Sequence, residues 1–305
     1  MTEVVWRPDE ATVEHANATR LVRRAGVAGY RELVQRSVED PDWFWPLAID
    51  DMGLEFSEPW TAVFDDSRGP EWTTWFVGAR LNIADNCVHR WATRRPDAIA
   101  AVGLGEDGSR RETTFAELSR DVTRLAELLV ARGVEPGDRV AIFLPMSPEV
   151  AVASHAIAHI GAIQVPVFSG FAAPAVAQRL QASEAKVVIT RTASSRRGKN
   201  MPMLAILEEA LRSSPSVEHV VLAPFELDDQ PARLPALQVD SETPYLLTYT
   251  SGTTGKPKGV VHVQGGFLVS ITRETAYQAD IHAGDVMHFA TDMGWIMGPW
   301  TVVGV

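Results

Sequence analysis

Of the 305 residues only one, Cys87, is a cysteine. A lone thiol closes no disulfide within the chain and lacks the partners of a cysteine-rich metal site. Cys87 therefore reads as a small buried hydrophobe, and the expected compartment is reducing and cytoplasmic. Positive charge is also scarce: 28 Lys and Arg stand against 39 Asp and Glu, for a net charge of −11. That balance excludes a general nucleic-acid binder, which needs a basic face to neutralise phosphates. Any anionic ligand must be met by a local basic cluster working against the overall field. No apolar run approaches the length that crosses a bilayer, so no membrane partner is expected. Residues 1–10, MTEVVWRPDE, carry acids and no apolar stretch, and do not read as a secretory signal.

What is present divides into two textures. Residues 1–90 hold Trp6, Trp43, Trp45, Trp60, Trp72 and Trp75, with Trp91 at the edge, separated by acidic and proline-rich pieces such as EDPDWFWP. This is expected to be an irregular segment that wraps a larger body through aromatic anchors. From residue 91 to 305 the pattern is regular. Ala98 to Gly103 reads as a strand, and TFAE at 114–117 is a capping box that opens a helix bearing Leu118, Val122, Leu125 and Leu129. Gly133 ends that helix. Strands at 139–144, 163–168, 186–190 and 219–222 then alternate with helices opening at Ser147, near Ala172 and near Pro202. The predicted fold class is α/β, a mostly parallel sheet flanked by helices. Residues 224–243 read as a polar, proline-broken connection.

Three stretches carry chemistry. The first follows an apolar β-prone run at 245–249: Thr250, Ser251, Gly252, Thr253, Thr254, Gly255, Lys256, Pro257, Lys258 and Gly259. Its glycines let backbone N–H groups turn toward one point, its hydroxyls add donors, and its two lysines add charge, which together make a polyphosphate cradle. It is not a Walker A loop, because Pro257 stands where that motif needs Ser or Thr after the lysine. The second lies between residues 185 and 207, where Lys186, Arg191, Arg196, Arg197 and Lys199 occur without an acid, forming a positive patch able to receive a phosphate. The third is ATDMGWIMG at 290–298. His155 and His159 are spaced like metal ligands on a helix, but Ala156 replaces the glutamate of a metalloprotease helix, so they read as a packing or surface pair. His262 could lie near the phosphates, but its spacing defines no catalytic partner. No metal ligand set is expected.

The run YTSGTTGKPKG at 249–259 resembles the phosphate loop of the adenylate-forming (AMP-binding) superfamily. The segments TFAELSRDVTRLAELLVARGVEPGDRVAIFLP at 114–145 and HAIAHIGAIQVPVFSGF at 155–171 are similar to the helix–strand units of its large domain. The Trp-rich front, with WFVGARLNIADNCVHRW at 75–91, resembles the N-terminal extension of acetyl-CoA synthetase-like enzymes, as does SRRGKNMPM at 195–203. The resemblance implies an ATP-dependent carboxylic acid–CoA ligase. Such an enzyme uses ATP with Mg2+, coenzyme A and a small carboxylic acid as substrates and holds no tightly bound cofactor. It further implies that Arg196 and Lys199, with Arg197 beside them, contact the 3′-phosphate of coenzyme A. Trp295 matches the gating aromatic of the acyl pocket, placing Ile296 and Met297 near the acyl group. Acetyl-CoA synthetases usually carry threonine at the position of Met297 and histidine at that of Pro299, so the resemblance stops short of acetate as the acid.

The resemblance also implies an adenine- and Mg2+-site segment, a ribose-binding aspartate, a hinge and a small C-terminal domain with a catalytic lysine. None of these is found in the 305 residues, which end on the apolar run WTVVGV at 300–305. The expectation is an N-terminal portion, an incomplete large domain at 91–305 without the C-terminal small domain, inactive alone. The alternative is a non-catalytic nucleotide- or CoA-binding module. The sequence specifies no oligomeric state.

Overall fold

The computed structural model of the chain describes residues 5–227, 232–250 and 257–304. It opens with helices α1 (Glu10–His15), α2 (Asn17–Ala25), α3 (Tyr30–Glu39) and α4 (Pro41–Met52), followed by strands β1 (Ala62–Asp65), β2 (Thr74–Val77) and β3 (Arg80–Leu81) and by α5 (Arg90–Arg94). Next come β4 (Ile99–Leu104), β5 (Arg110–Thr114), α6 (Phe115–Ala131), β6 (Arg139–Ile142), α7 (Pro148–His159), β7 (Ile163–Pro166), α8 (Ala173–Ser183) and β8 (Val187–Arg191). The remainder is β9 (Ser194–Arg196), β10 (Lys199–Met201), α9 (Met203–Leu211), β11 (His219–Ala223), β12 (Val239–Asp240), β13 (Pro244–Thr250), β14 (Lys258–Val263), α10 (Gln264–Arg273) and α11 (Met297–Gly304).

Local chemistry sets the boundaries. Thr114 Oγ1 accepts from the Glu117 N–H at 3.2 Å while the Glu117 carboxylate accepts from the Thr114 N–H at 2.8 Å, so the capping box opens α6 as the sequence predicts. Pro148 occupies the first turn of α7, where its missing N–H costs nothing. Gly133 and Gly161 end α6 and α7 at φ 76° and 69°, conformations that a side chain would strain.

The sheet runs β11-β8-β6-β7-β13-β14, parallel throughout except for the antiparallel edge strand β14. Its central strands read as unbroken apolar runs because both faces are covered. Val140 and Ile142 of β6 face a core with Val187 and Ile189 of β8, packed under α6 and α7. Ala141 and Phe143 face the opposite core with Val165, Val167 and Val188, under α8 and α9. The alternation follows from the two-residue period of a strand. Almost every residue of α7 is buried, and its alanines let it pack closely against α6 and the sheet.

Two expectations need correction. The strand at 98–103 does not join the parallel sheet: β4 pairs antiparallel with β5 as a separate hairpin. β5 is the polar run RRETT, which carries no hydrophobic signal. The front segment is also more regular than expected, with four helices before Gly53. Asp9 and Asp40 cap α1 and α4 through their side chains, and Gly26 and Gly53 close α2 and α4 in left-handed conformations. Its aromatics do anchor it: Trp45, Trp60 and Trp75 pack around Phe76 with ring centroids 5.6–6.4 Å apart, though Trp6 and Trp72 are exposed. Polar contacts add to the anchor. The Asn17 side-chain amide donates to the carbonyls of Ala276 and Ile281 at 3.0 Å, and the Asp51 carboxylate accepts from Arg20 at 2.9 Å and Tyr277 at 2.7 Å. One core therefore joins the front segment to β13 and α10. Cys87 packs between this core and that of α6 and α7, and burial pushes its thiol up to about 12.

His155 and His159 are both buried on α7, the packing alternative, and the ring that His159 meets is His89 rather than His155. His159 Nε2–H donates to the Leu234 carbonyl at 2.9 Å, which leaves Nδ1 to accept from His89 Nε2–H at 2.9 Å. His89 Nδ1 then accepts from the Ser119 hydroxyl at 2.8 Å. Burial lowers His159 and His89, the latter to about 4 with help from the neighbouring histidines, and lowers the fully enclosed His155 to about 4. Below the ordinary histidine value near pH 6.5 the unfolded chain takes up protons that the folded chain refuses, so stability falls as pH drops toward 4. Urea denaturation at pH 7.5 and pH 5 is expected to show a loss of about 2 kcal/mol for each of His89 and His155. The pH-dependent part of the loss should shrink in His155→Leu.

Candidate active-site cleft

In an open α/β sheet the natural crevice lies beyond the carboxyl ends of neighbouring strands whose connections leave in opposite directions. Here β6 connects to β7 on one side, while its other neighbour β8 connects outward to β11. A cleft of about 600 Å³ opens at that point. One wall comes from the chain just beyond β6 (Pro145, Met146), β7 (Phe168, Ser169) and β8 (Ser194, Ser195, Arg196). The other comes from residues 289–297, with Asp292, Trp295 and Met297 among its lining side chains.

Asp292 joins the two walls. Its carboxylate is buried and accepts from the Ser169 backbone N–H at 3.1 Å, from the Ser169 hydroxyl in a short bond, and from the Gly294 N–H at 3.0 Å. A buried carboxylate is tolerable only when its lone pairs are met in this way. The contact is close enough that a Cβ on Gly294 would lie 2.5 Å from backbone atoms of Phe168.

Phe168 is the hub of the cleft. The Arg196 guanidinium sits 4.8 Å from its ring centroid, and Trp295 and Phe171 meet it edge to face at 6.4 and 5.2 Å. Gly170 gives Arg196 room, since a Cβ there would meet its guanidinium at 2.2 Å. Arg196 belongs to the tight β9–β10 hairpin, whose two turn residues, Arg197 and Gly198, have φ 53° and 70°, the signature of a type I′ turn. Arg197 and Lys199 are exposed at its tip.

The flanks of the predicted phosphate loop emerge at the same end of the sheet. β13 runs parallel to β7, so Thr250 lies at its carboxyl end, and Thr250 pairs with Lys258 as β14 begins. Ser251, Gly252, Thr253, Thr254, Gly255 and Lys256 lie outside the described residues. His262 follows on β14, where its ring packs against Phe267 at 5.4 Å rather than beside a catalytic partner.

Residues 88–305 match the family described as AMP-binding enzyme, and residues 30–87 match the acetyl-coenzyme A synthetase N-terminus. The chain belongs to the AMP-binding enzyme family. Among relatives, acetyl-coenzyme A synthetase 2 of Pseudomonas aeruginosa is 38% identical across 88% of this chain and 44% of its own length. Acetyl-coenzyme A synthetase of Methanothrix thermoacetophila is 35% identical across 98% of this chain and 48% of its own. The structure of acetoacetyl-CoA synthetase from Streptomyces lividans superposes with a TM-score of 0.93 at 32% identity, covering 99% of this chain and 50% of that one. The chain thus spans about half the length of these relatives.

Within this family member, residues singled out separately in the sequence meet in one place. Arg196 from the basic patch, with Trp295 and Met297 from the third motif, lines a single cleft. Ile296 is exposed and does not line it, and Arg197 and Lys199 stand outside the lining. Sequence reasoning missed Phe168, Ser169 and Asp292 as site residues, although all three lie within or beside the quoted segments. An acid between apolar neighbours in ATDMGW was the available sign. Asp292→Ala would strand the buried Ser169 N–H and hydroxyl and is expected to cost about 1–3 kcal/mol. Gly294→Ala should cost a similar amount, because it forces two backbones apart. Chemical denaturation with tryptophan fluorescence, which also reports Trp295, measures both.

Proposed function

We propose that the chain provides the phosphate-, coenzyme A- and acyl-binding part of an ATP-dependent carboxylic acid–CoA ligase. The observation that carries this reading is the convergence of Arg196 and Trp295 on Phe168 in one cleft. A cationic edge next to an apolar wall of Met146, Phe168, Trp295 and Met297 suits a ligand with a phosphate at one end and an acyl chain at the other.

The reaction has two halves. A carboxylate attacks the α-phosphate of ATP, forming an acyl-adenylate and releasing pyrophosphate. The thiol of coenzyme A then displaces AMP to give the thioester. ATP enters with its Mg2+ as a substrate complex. The proposed task of the loop from Thr250 to Lys258 is to orient the β- and γ-phosphates and spread their charge over hydroxyls, backbone N–H groups and two lysines. The loop holds no carboxylate, so its donors match phosphate oxygens rather than the metal. Arg196, with Arg197 and Lys199 near the mouth, is proposed to receive the 3′-phosphate of coenzyme A. Trp295 and Met297 shape the acyl end.

These 305 residues are expected to bind coenzyme A without releasing pyrophosphate from ATP over a panel of short carboxylic acids. Arg196→Ala should weaken coenzyme A binding roughly tenfold, the scale of a lost charge-assisted hydrogen bond. Calorimetry measures the affinity and a coupled pyrophosphate assay the turnover. Binding that is indifferent to Arg196→Ala would refute the site, and robust turnover would refute the division of labour.

A further inference from the structure

The tip of the β9–β10 hairpin carries an anion already. Glu106, in the loop between β4 and β5, reaches across to it. Its Oε1 accepts from the Arg197 backbone N–H at 2.6 Å, and its Oε2 accepts from the Gly198 N–H at 3.0 Å and the Ser195 hydroxyl at 2.7 Å. Two successive N–H groups from a turn with positive φ, joined by a hydroxyl, form a small anion-binding concavity. These bonds, that from Gly198 foremost, hold the Glu106 carboxyl below the ordinary carboxylate range.

Glu106 takes two backbone donors and the Ser195 hydroxyl and pairs with no cation among the described residues. Arg196, Arg197 and Lys199 make no ion pair among the described residues. Arg197 and Lys199, exposed on the same turn, add positive charge that would suit a dianion better than one carboxylate. The loop carrying Glu106 closes on itself: Gly105 N–H donates to the Ser109 carbonyl at 2.8 Å, and the Asp107 carboxylate accepts from the Ser109 N–H at 3.0 Å. Glu106 is exposed, so its side chain can leave the turn without unfolding that loop.

We infer that Glu106 is a tethered stand-in for a phosphate monoester at the hairpin tip, and that the ligand's phosphate displaces it to reach the turn N–H groups. The inference rests on the coenzyme A reading above, with the 3′-phosphate as the displacing group. The carboxylate then acts as a built-in competitor that lowers affinity for the phosphate and keeps the turn in its binding geometry while empty.

The experiment compares coenzyme A with dephospho-coenzyme A, which lacks the 3′-phosphate, on the 305-residue chain by calorimetry. Glu106→Ala is expected to tighten coenzyme A by about threefold or more, the scale of an exposed charged contact, and to leave dephospho-coenzyme A unchanged. Glu106→Gln keeps the side-chain shape and should shift affinity the same way by a smaller factor, which covers a failure of the alanine variant to fold. Unchanged or weaker coenzyme A binding would overturn the inference, as would equal tightening of both ligands. If the unaltered chain does not distinguish the two ligands and Arg196→Ala has no effect, the coenzyme A reading itself fails. If it distinguishes them and only the Glu106 variants are silent, that reading stands and the competitor does not.

Discussion

The constraint on which the structure depends is burial of the central strands on both faces. β8, β6 and β7 are too apolar to expose either side, so helices must cover both. With the faces closed, a ligand can approach only at the strand ends, and the carboxyl ends beside the crossing of connections are where the cleft lies. Each site element inherits its position from this. Pro145, Phe168 and Arg196 lie far apart in the chain, yet each follows closely on a neighbouring parallel strand.

A second, smaller constraint makes the cleft a defined shape. The strand ends supply one wall; the other belongs to residues 289–297, far along the chain and outside the sheet. Asp292 welds the two through the hydrogen bonds it accepts from the Ser169 N–H and hydroxyl, and Gly294 permits the approach. Phe168 then presents one ring to Arg196 and Trp295 together, so a cation and an indole share a support. In a chain with net charge −11, this arrangement concentrates positive charge at one small turn while acids dominate elsewhere. One of those acids, Glu106, sits on the turn itself.

Much of the parallel core was legible in the sequence because its signals are local. The capping box at Thr114, proline in the first turn of α7, and the glycines at 133 and 161 act within a few residues of themselves. Alternating apolar strands and amphipathic helices announced an α/β sheet. The β4–β5 hairpin was misplaced because β5 is polar, and a strand that faces solvent leaves no hydrophobic period. The front helices were missed because α1 to α3 are short and polar, held by caps and distant contacts, and because the apolar α4 carries Pro46 inside it, a residue that reads as a helix breaker. Asn17, for instance, gains its partners at residues 276–281.

The sequence by itself determined the chemistry on offer: glycines, hydroxyls and lysines from 250 to 258, a basic turn at 196–199, and an aromatic motif at 290–298. Those are properties of residue types and spacing, which survive without coordinates. Only the tertiary structure decided that Arg196 and Trp295 share a ring, that Asp292 is the link between walls, and that Glu106 fills the hairpin tip. Contacts across 91 residues of chain, such as that from Glu106 to Arg197, arise from how sheets and loops stack. No local pattern encodes them, because the partners meet only after the core has closed.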